Sequence, residues 1–351
     1  MYRALGAAAL ATTVALSAAA SAQTPVPPDG KPLVIAHRGA SGYRPEHTLA
    51  AYALGVEMGA DCVEPDLVMT RDGALVARHE PEIGTTTDVA EKFPDRRTRK
   101  PVDGVDVEGW FTDDFTLAEI KTLRAKQPRD DRASAWDGLY EVPTLREVID
   151  LARREGAVRG RPVCVVPETK HPTYFAERGL DIDAALVGVL EANGLASAES
   201  PVLVQSFEVG NLRRLAGMTR VRLVQLLGEP AARPYDLAKA GDPRTYGDLM
   251  SPGGLREIAA YAHAIGPGKR AIVGEDAAGG AAPASALVRD AHAAGLRVHA
   301  YTFRDEPRHL AKGYGGDPAA EYREFFRLGV DGVFSDHPDT AVRAREGMGG
   351  G

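Results

Sequence analysis

Four short groups of titratable side chains stand out: His37 with Arg38, Glu64 with Asp66, His79 with Glu80, and Glu168 with Lys170. Each follows a short apolar run rich in β-branched residues, so each stands at the end of an expected strand. Glu64 and Asp66 are two residues apart, which on a strand sends both carboxylates to the same face. Together with Glu168 they make three carboxylates that repel one another unless a cation or protons intervene. A hard divalent ion, Ca²⁺ or Mg²⁺, suits an all-oxygen set. The absence of any His-x-His pair, and the presence of only two cysteines, argue against zinc. The same residues would also serve as a structural ion-pair cluster with Arg38 and Lys170. The histidines tip the reading towards catalysis. His37 and His79 offer a base and an acid, Arg38 a planar fork for two oxygens and Lys170 a mobile point charge, which is what cleavage of a phosphate diester requires.

Something must bring the four groups together. Eight strand-like runs, at residues 33–37, 62–67, 163–168, 202–206, 222–226, 264–266, 297–302 and 332–335, alternate with segments of helical period. Eight βα repeats without a second distinct half predict a closed (β/α)8 TIM barrel, whose working residues stand at the C-terminal ends of the strands. Residues 74–79 do not fit the parallel repeat, because only Arg71, Asp72 and Gly73 separate them from the second strand. That link permits only a hairpin, an arm that folds back over the mouth and carries His79. Pro65 removes a donor between Glu64 and Asp66, so the second strand is expected to end there.

Residues 84 to about 140 show no convincing strand and read as a charged insertion at the mouth. This segment would govern access and hold no group that the chemistry needs. Thr116 with Glu119 and Thr144 with Glu147 are capping boxes, the second opening a helix expected to end at Gly156. Thr48 reads as the cap of a helix through Met58, which leaves Glu46 and His47 as supporting residues.

Composition removes several alternatives. Among 351 residues, 42 Lys and Arg against 49 Asp and Glu give a net charge of −7, and no basic run could neutralise a row of phosphates. Duplex nucleic acid is thus an unsuitable partner, and no apolar stretch after residue 22 could span a bilayer. Residues 1–22, with Arg3, an alanine-rich stretch and the small residues Ala20 and Ala22, read as a signal peptide cleaved near Ala22, which implies a periplasmic or secreted protein. The barrel domain then spans residues 23–345. Cys62 and Cys164 are expected inside the barrel as two buried free thiols, because bridging neighbouring parallel strands is awkward.

The ordered series HRGASGYRPEHT (37–48), VEPDLVMTRDG (63–73), ARHE (77–80), PETK (167–170), QSF (205–207), YTFR (301–304) and VFSDHP (333–338) resembles the glycerophosphodiester phosphodiesterase family over nearly the whole mature chain. PEHT, DLVMT and TTDVAEKFPDR resemble its periplasmic branch, which is associated with calcium. The resemblance implies His37 and His79 as the acid and base pair, Glu64, Asp66 and Glu168 as ligands of one divalent cation, and Arg38 and Lys170 as phosphate-binding residues. Phe207 and Tyr301 would wall a small glycerol pocket. Glu80 stands where the family usually has Asp, and Tyr301 where many relatives have Trp. The implied reaction is hydrolysis of small-molecule glycerophosphodiesters, such as glycerophosphocholine and glycerophosphoethanolamine, to sn-glycerol 3-phosphate and an alcohol. A phospholipase D-like enzyme on intact lipids, or a protein that only binds such diesters, would use the same barrel. The sequence leaves open which histidine is the acid, and whether water or the glycerol 2-hydroxyl attacks.

Overall fold

A computed structural model describes residues 30–348. The predicted signal peptide and its cleavage near Ala22 lie outside the described residues. The strands, in chain order, are β1 (Leu33–His37), β2 (Cys62–Glu64), β3 (Asp66–Met69), β4 (Leu75–Ala77), β5 (Thr98–Val102), β6 (Val105–Gly109), β7 (Cys164–Val165), β8 (Glu168–Thr169), β9 (Leu203–Ser206), β10 (Arg222–Leu227), β11 (Ala264–Pro267), β12 (Arg297–Phe303) and β13 (Gly332–Ser335). β2 and β3 are one stave interrupted at Pro65, and β7 and β8 are one stave interrupted at Val166 and Pro167. Read so, the parallel pairings run β1 to β2, β2 to β7, β3 to β8, β8 to β9, and onward through β13 back to β1. Eight staves therefore close into the expected TIM barrel.

β2 ends just before Pro65, as expected, but the stave as a whole does not stop at this proline. Pro65 lacks only the donor, and its carbonyl still accepts from the Glu168 N–H at 2.9 Å, so the ladder resumes at Asp66. The interruption holds Glu64 and Asp66 on one inward face while their stave leans across to Glu168. β4 pairs antiparallel with β3, Met69 opposite Leu75, which is the expected hairpin arm.

Inside the barrel, Leu33, Ile35, Val166, Leu203, Val224, Leu226 and Phe334 pack beneath the mouth. Each such side chain contributes roughly 1.5–3 kcal/mol by leaving water, which keeps the floor of the site rigid. Cys62 and Cys164, expected as free thiols, form a disulfide in this layer. The register sets them directly opposite one another with Cα atoms 4.3 Å apart, so both side chains meet without moving the backbone.

Three local expectations hold and two change. Thr48 caps the helix Leu49–Glu57, and both capping boxes are formed. The helix opened by Thr144 runs past Gly156 to Arg159 and stops at Gly160, whose φ of +67° provides a left-handed end. Gly156 instead lets the backbone of residues 161–163 pack close, since a Cβ there would lie 3.1 Å from the Arg161 carbonyl oxygen. The insertion, expected to lack strands, contains the β5–β6 hairpin. Its Asp103–Gly104 turn, with φ of +47° and +80°, is the two-residue loop that an Asp-Gly pair favours. Val102, Val105 and Val107 flank that turn, but the Arg, Lys, Asp and Glu residues between and around them hid the strands among charged sequence.

Candidate active site

The C-terminal ends of β1, β2, β3, β8, β9 and β12 and the arm after β4 enclose a cavity of about 500 Å³. His37, Arg38, Glu64, His79, Glu168, Gln205, Phe207 and Tyr301 are among its walls. Asp66 is buried beside it, and Lys170 bridges from Glu168 (2.9 Å) towards His79 Nε2 (3.4 Å). All nine residues singled out from the sequence are therefore brought to one place.

Glu64, Asp66 and Glu168 are buried, each with a carboxylate oxygen within 4.8 Å of the others. The backbone N–H of Arg38 donates to Glu64 Oε2 (2.8 Å) and the Gln205 amide donates to Glu64 Oε1 (3.1 Å). His47 Nε2 lies 3.0 Å from Asp66 Oδ2. Asp66 Oδ1 is buried without a hydrogen-bond partner. Burial, then the charges of Asp66 and Glu168, push the Glu64 carboxyl well above its usual range. Burial likewise lifts Glu168 to about 8, against the pull of Lys170. Burial works against ionisation of Asp66 as well, but the His47 hydrogen bond and the charges of His47 and Arg38 hold it well below the ordinary carboxylate value. An orphaned oxygen among three crowded carboxylates is a donor set that fits a divalent cation.

Arg38 occupies the left-handed region, φ +59°, which costs a side chain of its size about 1–3 kcal/mol. The conformation persists because its guanidinium is held by Glu46 (3.1 Å) and Asp66 (3.3 Å) while its N–H serves Glu64. Gly39, with φ +85°, follows because a Cβ there would come within 2.5 Å of the Ala51 backbone. Glu46 and His47 are thus the supporting residues that the sequence implied. Buried Arg78 joins them, donating to the carbonyls of both (3.3 Å each).

Each cavity histidine has one ring nitrogen on a carboxylate. His37 Nδ1 is 2.6 Å from Asp336 Oδ1, and His79 Nδ1 is 2.8 Å from Glu80 Oε1. A carboxylate accepts only, so Nδ1 carries the proton in both rings and Nε2 is left for the cavity. Both imidazoles are lowered to about 4, first by loss of hydration and then by Arg38, with Lys170 adding to the effect on His79. Phe207 and Tyr301 meet edge to face, 5.9 Å between ring centroids, and the Tyr301 hydroxyl is tied to the Leu227 carbonyl (2.8 Å).

Sequence reasoning passed over Asp336, Gln205, Arg304, Arg132, Asp103 and His171. Asp336 and Gln205 stand at strand ends within quoted motifs, which was signal enough. Arg132 lies in a charged loop and carried none.

The chain as a whole is similar to known proteins. A sequence profile of the glycerophosphoryl diester phosphodiesterase family matches residues 37–340. A glycerophosphodiester phosphodiesterase of Arabidopsis thaliana is 33% identical over 321 residues, covering 87% of this chain and 84% of that one. One from Haemophilus influenzae is 31% identical over 342 residues, covering 90% of each. Among solved structures, a glycerophosphodiester phosphodiesterase of Agrobacterium tumefaciens superposes with a TM-score of 0.55 at 21% identity, covering 89% of this chain and 99% of that one. An Oleispira antarctica phosphodiesterase in complex with the product sn-glycerol-3-phosphate superposes with a TM-score of 0.60 at 22% identity, covering 91% and 98%. With a barrel of this kind, a family profile spanning its length and relatives of such coverage, the chain belongs to the glycerophosphoryl diester phosphodiesterase family and is an enzyme of that class.

Proposed function

We propose that this enzyme hydrolyses glycerophosphodiesters of the glycerophosphocholine and glycerophosphoethanolamine type to sn-glycerol 3-phosphate and the free alcohol, with His37 and His79 as the acid and base pair. The observation that carries this reading is that both histidines line one cavity beside the three-carboxylate cluster, each with Nδ1 held by a carboxylate and Nε2 left for the cavity, where that of His79 meets the phosphate-binding Lys170 at 3.4 Å. One Nε2 takes the proton of the attacking oxygen as that oxygen bonds to phosphorus, the P–O bond to the alcohol breaks, and the other ring, which takes up a second proton on Nε2 once the anionic diester is bound, hands that proton to the departing oxygen. Arg38 and Lys170 hold the phosphate oxygens and offset the charge that develops on them. Glu64, Asp66 and Glu168 would hold a divalent cation, Ca²⁺ ahead of Mg²⁺, which when bound supplies further positive charge to the phosphate. Phe207 and Tyr301 would flank the glycerol. The complex of the Oleispira antarctica relative with sn-glycerol-3-phosphate supports a small-molecule substrate of this class.

We also propose that the protein is exported and belongs to the periplasmic branch. The leader-like residues 1–22 and a disulfide, a bond that persists in oxidising compartments, support this. The deciding experiment is turnover of glycerophosphocholine by purified protein, with sn-glycerol 3-phosphate and choline measured separately. Binding without release of either product would reduce the protein to a diester-binding module.

A further inference from the structure

We propose that the insertion at residues 84–140 is part of the acid and base machinery: Arg132 positions His37 through Asp336, and Asp103 positions His79 through His171 and Glu80. The proposal rests on the reading of His37 and His79 given above. It replaces the expectation that the insertion holds no group the chemistry needs.

On the first side, Asp336 gives Oδ1 to His37 Nδ1 at 2.6 Å, and its Oδ2 receives Arg132 Nη2 at 2.5 Å and Arg304 Nε at 2.8 Å. The Arg132 side chain is only 3% exposed, and its guanidinium is fixed on two further sides, Nε to Glu306 Oε1 (2.6 Å) and Nη1 to the Ser41 carbonyl (3.1 Å). A planar fork held this way cannot rotate, so neither can the carboxylate it grips.

On the second side, Glu80 gives Oε1 to His79 Nδ1 at 2.8 Å and Oε2 to His171 Nε2 at 3.0 Å. His171 Nδ1 then meets Asp103 Oδ2 at 2.7 Å, at the tip of the β5–β6 hairpin. A ring with carboxylates on both nitrogens donates from both and is a cation. Against burial, those two carboxylates raise His171 to about 9.

The two halves share one logic. A carboxylate that orients an imidazole has a second oxygen, and unless that oxygen is anchored the pair swings together and Nε2 loses its aim. Here both anchors end in the same inserted segment, 29 residues apart, on different sides of the mouth. A flap that only limited access would not need a buried arginine on the carboxylate of one histidine and a hairpin tip tied to the carboxylate of the other.

The test uses the full chain with Arg132→Gln and Asp103→Asn. Charged groups facing His37 are Arg38, Asp336 and Arg304; those facing His79 are Arg38, Lys170, Glu80 and Asp66. Removing Arg132 leaves Asp336 less neutralised, so His37 should titrate higher. Asp103→Asn weakens the His171 cation and leaves Glu80 less neutralised, so His79 should titrate higher. We expect kcat on glycerophosphocholine to fall about 10- to 100-fold, with KM changing far less, and each variant to displace a different limb of the pH profile. Asp103→Glu, which restores a carboxylate, should recover part of the loss. Should Arg132→Gln not fold, Arg132→Lys keeps the charge without the fork and should show the same kcat deficit. NMR titration of the two histidine rings in parent and variants gives the shifts without turnover. It therefore decides the positioning claim even if the parent fails to cleave the diester, an outcome that would sink the functional reading alone. Folded variants with parental kcat and unmoved histidine titrations would overturn the proposal and leave the insertion as an access flap.

Discussion

Cys62 and Cys164 are bridged across neighbouring staves two residues below Glu64 and four below Glu168. The disulfide therefore ties together the two staves that carry all three clustered carboxylates. Thiol titration of denatured, unreduced protein should find no free thiol. Replacing both cysteines by Ser should lower stability by about 2–5 kcal/mol in denaturant melts, since the bridge closes a loop of sequence separation 102. Two titratable thiols in the purified, unreduced protein would contradict the bridge.

Removing divalent ions should abolish turnover, and adding back Ca²⁺ or Mg²⁺ should restore it, because the remaining cations leave Asp66 Oδ1 without a partner. Glu64→Gln and Asp66→Asn should weaken ion binding measured by calorimetry, independently of activity. Full activity in exhaustively chelated protein would refute the metal assignment.

His37→Ala and His79→Ala should each reduce kcat by about 10²- to 10⁴-fold, with melting temperatures near the parent, since each ring transfers a proton and supplies little packing. Parental turnover by either variant would remove that histidine from the mechanism.

The link between hairpin and barrel should weaken in alkali. His171 in the folded protein titrates at about 9, above its ordinary value of 6.5, so the folded state holds the proton more tightly than the unfolded one. The resulting stabilisation is full below about 6.5 and is lost as the pH rises through about 9. Amide exchange in Thr98–Gly109 should accelerate over that window beyond the intrinsic pH dependence, and His171→Gln should remove the extra acceleration. Equal protection, corrected for intrinsic rates, at pH 6 and pH 10 would show that the clamp does not hold the hairpin.

How far the sequence alone reaches can be read from particular residues. The period of two placed Glu64 and Asp66 on one face, and the short Arg71–Gly73 link forced a hairpin that delivers His79, because chain length and side-chain alternation are local properties. Eight apolar runs with helical segments between them sufficed for the barrel, since the pattern of burial is written in residue type. Strand ends then marked His37, Arg38, Glu168 and Lys170, as every stave delivers its last residues to the same mouth.

What only the tertiary structure decided depends on register and on long-range pairing. Whether Cys62 and Cys164 meet is set by a parallel register that no local pattern encodes. Asp336 reaches His37 across 299 positions and Arg132 reaches Asp336 across 204. Asp103 and His171 meet only because an Asp-Gly turn of a polar hairpin folds onto the loop after β8. Charges that look solvated in sequence become buried anchors when the chain brings them together. That juxtaposition belongs to the fold, because a hydrogen bond of 2.6 Å depends on where two backbones stand and not on the residues beside either one.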